Sequence, residues 1–389
     1  MPTAKQRKQG VRIPTMGIVG ACLVVLALAL PVLGRGGPSE PAVHVKDILV
    51  PGHGEAITRP SALRFDPVHR ELLVTDPGHD RIVIFSAEGA FKFAFGLGDS
   101  MTTPVDVATD SAGYIYVLGS SPAGRILMRF DFDGLALERI AIPAQLADKD
   151  VAVTKVACDD RGNLYGLDEK GLRILKLGPG GAEVVCDLAQ QLKDNVTGVY
   201  GLGVLSWDRG EFLLPVATSG FVMRYSPEGE FLGTIGHGGA KPGALAFPVA
   251  AARTSGGDFL VLDKNRFCVV CYDESGAFLG EFGGKGFSPG WFINPSLLAV
   301  TGPETVVVGQ IFSSRIQMLE LPGFLHVRTS RAAVIFPAGA PVDGGGEAAK
   351  PTRAPEKRRS IDTQNCLFTC GDVTGRHNFA SVSPSEASS

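Results

Sequence analysis

Histidine and cysteine are the side chains with which this chain could hold a metal ion or attack a substrate, and it has seven of each. Three imidazoles meeting at one point would make a zinc centre for a lyase or hydrolase. Here the histidines do not recur in step. His69 falls between a first and a second strand of the pattern described below, His79 between a second and a third, and His237 in a linker. His44, His53, His326 and His377 lie outside the regular pattern or at its edge. This scatter predicts solvated turn histidines and no metal site. Cys268-Val-Val-Cys271 has the spacing of a redox or zinc motif, but residues i and i+3 of a strand point to opposite faces. The two thiols therefore cannot share a metal, and they read as small buried hydrophobes. Cys158 and Cys186 fall on first and fourth strands of one unit, too far apart to pair. Cys366 and Cys370 stand four apart, with His377 after them; haem attachment needs C-x-x-C-H and is not met. An exported chain can oxidise this pair to a disulfide, and free or intermolecular thiols are the alternative. No cofactor is expected.

Arginine is the charged residue that does recur. Arg81, Arg125, Arg173, Arg266 and Arg315 each open what reads as the third strand of a unit. Asp76, Asp168 and Asp263 close the preceding strands and can accept a charge-assisted bond from the arginine that follows. Where Gly119 and Gly309 stand in place of the acid, Arg125 and Arg315 have no such partner. The second role open to these arginines is a basic face that docks an acidic protein. Trp291, Phe292 and Phe287 lie on the same side, as the aromatic anchors of binding surfaces do. A calcium cage needs six or more oxygens. Aligned first strands bring Ala62, Asp106, Lys155, Leu202, Ala250 and Leu297 to one level, which offers a single carboxylate. Asp106 and Lys155, on neighbouring units, are expected to form an ion pair.

What positions these residues is a repeat. "FSAEGAFKFAFGL", "YSPEGEFLGTIGH" and "YDESGAFLGEFGG" restate one phrase, and its turn glycines fall at Gly89, Gly134, Gly181, Gly229, Gly276 and Gly323, 45 to 48 residues apart. Within a unit four short apolar runs alternate with turn residues: "PSALRFD", "ELLVTD", "RIVIFS" and "FKFAFG" in the first, "PVAAART", "DFLVLD", "RFCVVCYD" and "AFLGEFG" in the fifth. Short runs rich in Val, Ile, Leu and Phe and bounded by Asp, Gly, Pro or Ser are strands joined by hairpins. The fold class expected is all-β, a six-bladed β-propeller of four-stranded antiparallel blades, preceded by one apolar N-terminal helix. Stacking blades in a ring buries two faces that each blade alone would leave wet.

The runs "LLVTDPGHDRIVIFSAEGAFKFAFG", "LYGLDEKGLRILKLGPGG" and "FLVLDKNRFCVVCYDESGAFLGEFG", with the linkers "GHGGAKPGALAFP" and "GGKGFSPGWFINP", make the chain resemble the NHL-repeat propellers from about Pro60 to Leu321. Blades two, four and six depart from that pattern, with Gly119, Pro215 and Gly309 where it has Asp. The family includes enzymes, scaffolds and receptors, so the resemblance implies a fold and no single activity. Trp207-Asp208 looks like a WD dipeptide but is expected in the turn after a first strand, where a WD40 repeat would not place it. Ring closure has two candidate outer strands, "VHVKDILV" ahead of blade one and "FLHVRTS" after the third strand of blade six. The local one, residues 324–330, is favoured.

The ends differ from the ring. Lys5, Arg7, Lys8 and Arg12 precede a stretch without charge from Ile13 to Gly34, whose apolar core is residues 17–34. That is a basic n-region and an apolar h-region, a cleaved signal peptide or an uncut signal anchor. Either reading puts the rest outside the cytoplasm, in the periplasm or at the cell surface. Residues 35–58 form a lead-in, 59–330 the propeller, and 331–389 a remainder whose composition turns to Pro, Gly, Ala and basic residues from Pro337. A net charge of −3 excludes a generally basic nucleic-acid binder. The function expected is a non-catalytic scaffold that binds a protein or ligand in the cell envelope, as a monomer. The alternative is a metal-dependent propeller lyase or hydrolase.

Overall fold

The computed structural model describes residues 43–49, 55–193 and 201–325. The expected signal or anchor at 1–34, its apolar helix, and the tail with Cys366 and Cys370 lie outside the described residues. Among the described residues no helix is long and apolar enough to cross a membrane. The described residues form six four-stranded antiparallel sheets, with one small hairpin (Gln145–Leu146 with Lys149–Asp150) and one short helix, Ala189–Lys193. Blade one, from the hub outward, is Leu63–Asp66, Glu71–Asp76, Arg81–Ser86 and Phe91–Gly96. Blade five is Pro248–Arg253, Phe259–Asp263, Cys268–Tyr272 and Phe278–Gly283. The expected strand runs and the observed strands coincide in these two blades to within a few residues.

The middle strands read as unbroken apolar runs because both of their faces are covered. Val83 and Phe85 pack with Val307 and Ile316 of blade six, while Ile82 and Ile84 pack with Val107 and Val117 of blade two. The same alternation separates the two cysteines of the C-x-x-C. Cys268 joins the blade-four side with Leu213 and Val222, and Cys271 the blade-six side with Val306 and Leu319.

The repeated phrase is the hairpin between third and fourth strands. Ser86, Asp131, Ser226 and Asp273 each accept backbone N–H bonds from two and four residues on. The chain then turns at Gly89 and its counterparts Gly134, Gly229 and Gly276, with φ between +73° and +89°, where a Cβ would be strained. Gly323 keeps the period but not the role, since it opens a short helical turn at 323–325.

The ends of the second strands carry a second repeated device. Asp76 accepts the N–H of Thr58, Asp168 that of Ala152, Asp263 those of Ala246 and Phe247, and Gln310 that of Ile293. Each side chain thus pins the linker that enters its own blade. Register places Ser120, Val216 and Gln310, one residue after Gly119, Pro215 and Gly309, level with the buried aspartates. The departures expected at the glycines and the proline therefore fall one position later.

Ring closure corrects the sequence reading. The outer strand of blade six is Val43–Asp47, paired antiparallel with Arg315–Glu320. Pro322 and a helical turn at 323–325 follow the third strand of blade six, and residues 326–330 of the local candidate lie outside the described residues. Ile48 donates its N–H to Ile316 O at 2.8 Å and is buried against blade one.

Candidate functional site

Linkers and the loops between second and third strands share one face of the ring; turns between first and second strands share the other. The five arginines expected as a basic surface lie on the linker face, and the protein itself occupies most of them. Arg81 Nε bonds Asp76 Oδ2 at 2.8 Å, and Arg173 Nε bonds Asp168 Oδ2 at 2.7 Å. Arg315 reaches Asp47 on the closing strand at 3.1 Å, a partner that the local pattern could not show. Arg125 bonds Ser120 Oγ. Arg266 stands two residues before its strand, where register puts Cys268 opposite Asp263, and it bonds both carboxylate oxygens of Glu281 at 2.7 and 2.8 Å. Of the aromatics expected beside them, Phe292 is fully buried and Trp291 half-buried, its ring laid on Gly284; Phe287 is 80% exposed.

His53, His326 and His377 lie outside the described residues. His69 bonds Asp66, His79 lies between Asp76 and Glu55, and His44 bonds Asp47. Among the described residues no group of three His, Cys, Asp or Glu is placed to hold a metal ion. Cys158, Cys186, Cys268 and Cys271 are free thiols. Burial pushes the Cys158 and Cys271 thiols well above their ordinary value, so neither is poised as a thiolate.

The hub holds a residue that the sequence reading passed over. Arg64, on the first strand of blade one, sends its guanidinium across the ring. Nε donates to Val107 O, and one terminal nitrogen donates to Asp106, to Val156 O at 3.1 Å and to Leu205 O at 2.9 Å. Blades two, three and four are thereby stapled to blade one. Asp106 is buried, and besides Arg64 it accepts the N–H groups of Val107 and Val156. The expected pairing of Asp106 with Lys155 of blade three gives way to one with Arg64 of blade one, the neighbour on its other side.

Beside this staple opens a funnel of about 570 Å³, on the face away from the arginine series and lined by all six blades. Small and apolar residues of the first strands make its wall, among them Leu63, Ala108, Ala157, Ala252 and Ala299. Polar groups gather on the blade-four to blade-six side: Trp207, Asp208, Arg209, Arg253, Ser255 and Thr301. Trp207-Asp208 ends the short first strand Ser206–Asp208 and is not in the turn after it. Arg209 and Gly210 make the following two-residue turn, with φ of +51° and +81°. Glycine adopts this at no cost and arginine at about 1 kcal/mol. Arg209 offsets the strain by donating to Thr254 O, across the blade interface, at 2.8 Å. Its side chain is 43% exposed, as is that of Arg70 (61%) on the blade-one side. Arg253 is committed: it bonds Glu211, which also takes both prongs of Arg224, and lies 4.4 Å over the Phe259 ring. Thr301 Oγ and Trp207 Nε1 have no protein partner.

Burial raises the Asp208 carboxyl above its ordinary range, against the N–H of Arg253 and the charges of Arg253 and Arg209, which lower it. A carboxyl with a raised folded pKa binds its proton more tightly in the native state, so it destabilises the fold once pH climbs past that value. Below the unfolded value, 3.8, the penalty is absent. Asp208→Asn keeps the acceptor for Arg253 and removes the charge. It is expected to raise the melting temperature at pH 7 by about 2 °C, a fraction of a kcal/mol in a domain this large, and to leave it unchanged at pH 3; scanning calorimetry at both values checks this.

No protein-family model matches the sequence, and no curated protein does. Among solved structures the chain is similar to a Bacteroides thetaiotaomicron protein of unknown function, with a TM-score of 0.52 and 13% identity over 72% of this chain and 74% of that one. It also resembles a catalytically inactive virginiamycin B lyase from Staphylococcus aureus, solved with quinupristin, with a TM-score of 0.49 and 14% identity over 70% and 83%. At such identities the likeness shows the propeller fold alone.

Proposed function

We propose that the chain is a non-catalytic binding propeller of the NHL-repeat kind, exported to the cell envelope and either anchored or released by its N-terminal segment. Its ligand enters the hub funnel and is a small molecule with an apolar body and an anionic group. The observation that carries this reading is the funnel: one apolar-walled cavity of about 570 Å³ to which every blade contributes and toward which polar groups converge, the form that ligand sites take. Arg209 and Arg70 are its exposed cations, on opposite sides; Arg70 is paired with Glu88, so Arg209 is the one placed to take the anionic group. Several groups with catalytic potential are already engaged: Arg64 is bound to Asp106 and Arg253 to Glu211, and burial holds the Cys158 thiol well above its ordinary value. None of the lining residues is a histidine.

The test is a thermal-shift screen with monocarboxylates bearing aryl or alkyl bodies, run on the parent chain and on Ser255→Trp. Ser255 is an exposed turn residue at the mouth, where an indole blocks entry without touching the core. At a hundredfold excess over Kd a ligand adds about 2.7 kcal/mol, or roughly 5–10 °C here. The parent should shift with at least one class of ligand and Ser255→Trp should not. Equal shifts in both chains would place binding elsewhere.

A further inference from the structure

The linker face is electrically lopsided. Around blades five and six, four loop segments (236–248, 263–267, 283–295 and 310–315) carry Lys241, Lys264, Lys285 and two arginines; their single acid is Asp263, and the arginines are paired with Glu281 and Asp47 just outside them, which leaves the three lysines. Asp263 is fully buried and spent on linker N–H groups. Loops of the same face in blades one to three mix the signs, with Asp80, Asp99, Asp148, Asp150 and Glu169 against Arg59, Lys149 and Lys170. On the basic side two phenylalanines stand out into solvent, Phe287 at 80% and Phe312 at 66% exposure. They belong to one patch. Arg315 donates to Phe287 O at 2.8 Å, Phe312 lies in the loop that leads into Arg315, and Lys264 sits 5.9 Å over the Phe312 ring. Lys285 covers Phe267 in the same way.

We propose that this edge of the ring docks on a bilayer surface rich in anionic lipid headgroups, with Phe287 and Phe312 entering the interface and Lys241, Lys264 and Lys285 meeting the headgroups. Lysines around protruding apolar rings match the two layers of such a surface, headgroup charge above acyl chains. The rings sit on loop tips, where a lipid interface can receive them, rather than in the concave centre that a protein hot spot occupies. Docked this way, the funnel opens away from the bilayer, toward solvent and ligand.

The experiment uses the full chain with vesicles of phosphatidylcholine and phosphatidylglycerol carrying a brominated phosphatidylcholine, a quencher of indole fluorescence within the acyl region. Phe287→Trp places an indole at the proposed contact, and Ser255→Trp places one on the funnel face; the parent signal from Trp207 and Trp291 is subtracted. The added emission of Phe287→Trp is expected to be quenched severalfold more strongly than that of Ser255→Trp. Adding Lys264→Glu and Lys285→Glu should lower the docked fraction, by roughly fivefold in partition for each charge. Equal quenching at the two positions, or no quenching at Phe287→Trp, overturns the proposal. The latter is the result for a face that docks an acidic protein, because the vesicles contain none. Both indoles are at exposed positions, so loss of folding does not confuse the comparison.

Discussion

Deleting Val43–Asp47 together with Ile48 should lower the melting temperature by roughly 10–20 °C. The segment closes the ring by pairing with a strand 268 residues away in sequence. Its loss exposes the buried Ile48 site, a change on the scale of Ile→Ala at 2–5 kcal/mol. Each ladder hydrogen bond that goes with it costs about 1 kcal/mol more. In a domain of this size every kcal/mol is worth about 2–4 °C. An unchanged melting temperature would mean that residues 324–330 can take the position after all. The ion pair at the seam gives the same closure a pH signature. Burial alone would raise the Asp47 carboxyl, but Arg315 and His44 outweigh it and hold the carboxyl below its ordinary 3.8. A depressed folded pKa stabilises above the unfolded value and loses that contribution as pH falls through the folded one. Asp47→Asn should therefore be less stable than the parent at pH 6 and equal to it near pH 2.

Arg64→Ala is expected to cost 3–5 kcal/mol, the range for leaving a buried charge without its partner. The substitution removes every bond from the guanidinium, leaves the Asp106 side chain without its cation in a site that is 1% exposed, and frees the carbonyls of Val156 and Leu205. Asp106→Asn in the same chain should restore part of the loss, since an amide oxygen can still accept from Val156 while carrying no charge. Chemical denaturation of the two single variants and the double variant measures the coupling. Strict additivity would show that the staple contributes nothing as a pair.

The repeat made the ring legible before any coordinates, because a blade is local. Its strands follow one another, its hairpin glycine recurs, and its middle strands are apolar on both faces for one shared reason. What escaped the sequence lies between blades. Val43–Asp47 has no turn tying it to blade six, and the local run at 324–330 looked equally strand-like. Arg64 reads as an ordinary polar position in "PSALRFD"; only the curvature of the ring brings the carbonyls of three other blades within its reach. Arg266 kept its place in the periodic series although its blade turns two residues later, so a register error passed as regularity. Asp208 was hidden inside a dipeptide that reads as a motif it does not form, with Arg209 directly after it. The one signal that pointed to them was Arg-Gly after Asp, a tight turn that throws the preceding side chains toward the mouth.

The central claim, that the hub funnel binds a ligand and leaves it unaltered, is tested most directly by recovering that ligand. The first compound to shift the parent chain and not Ser255→Trp is incubated at equimolar ratio with each, and its mass is measured after release. Retention by the parent alone, with unchanged mass, is the result predicted. A product of altered mass released by the parent and absent with Ser255→Trp would show that the funnel is an active site.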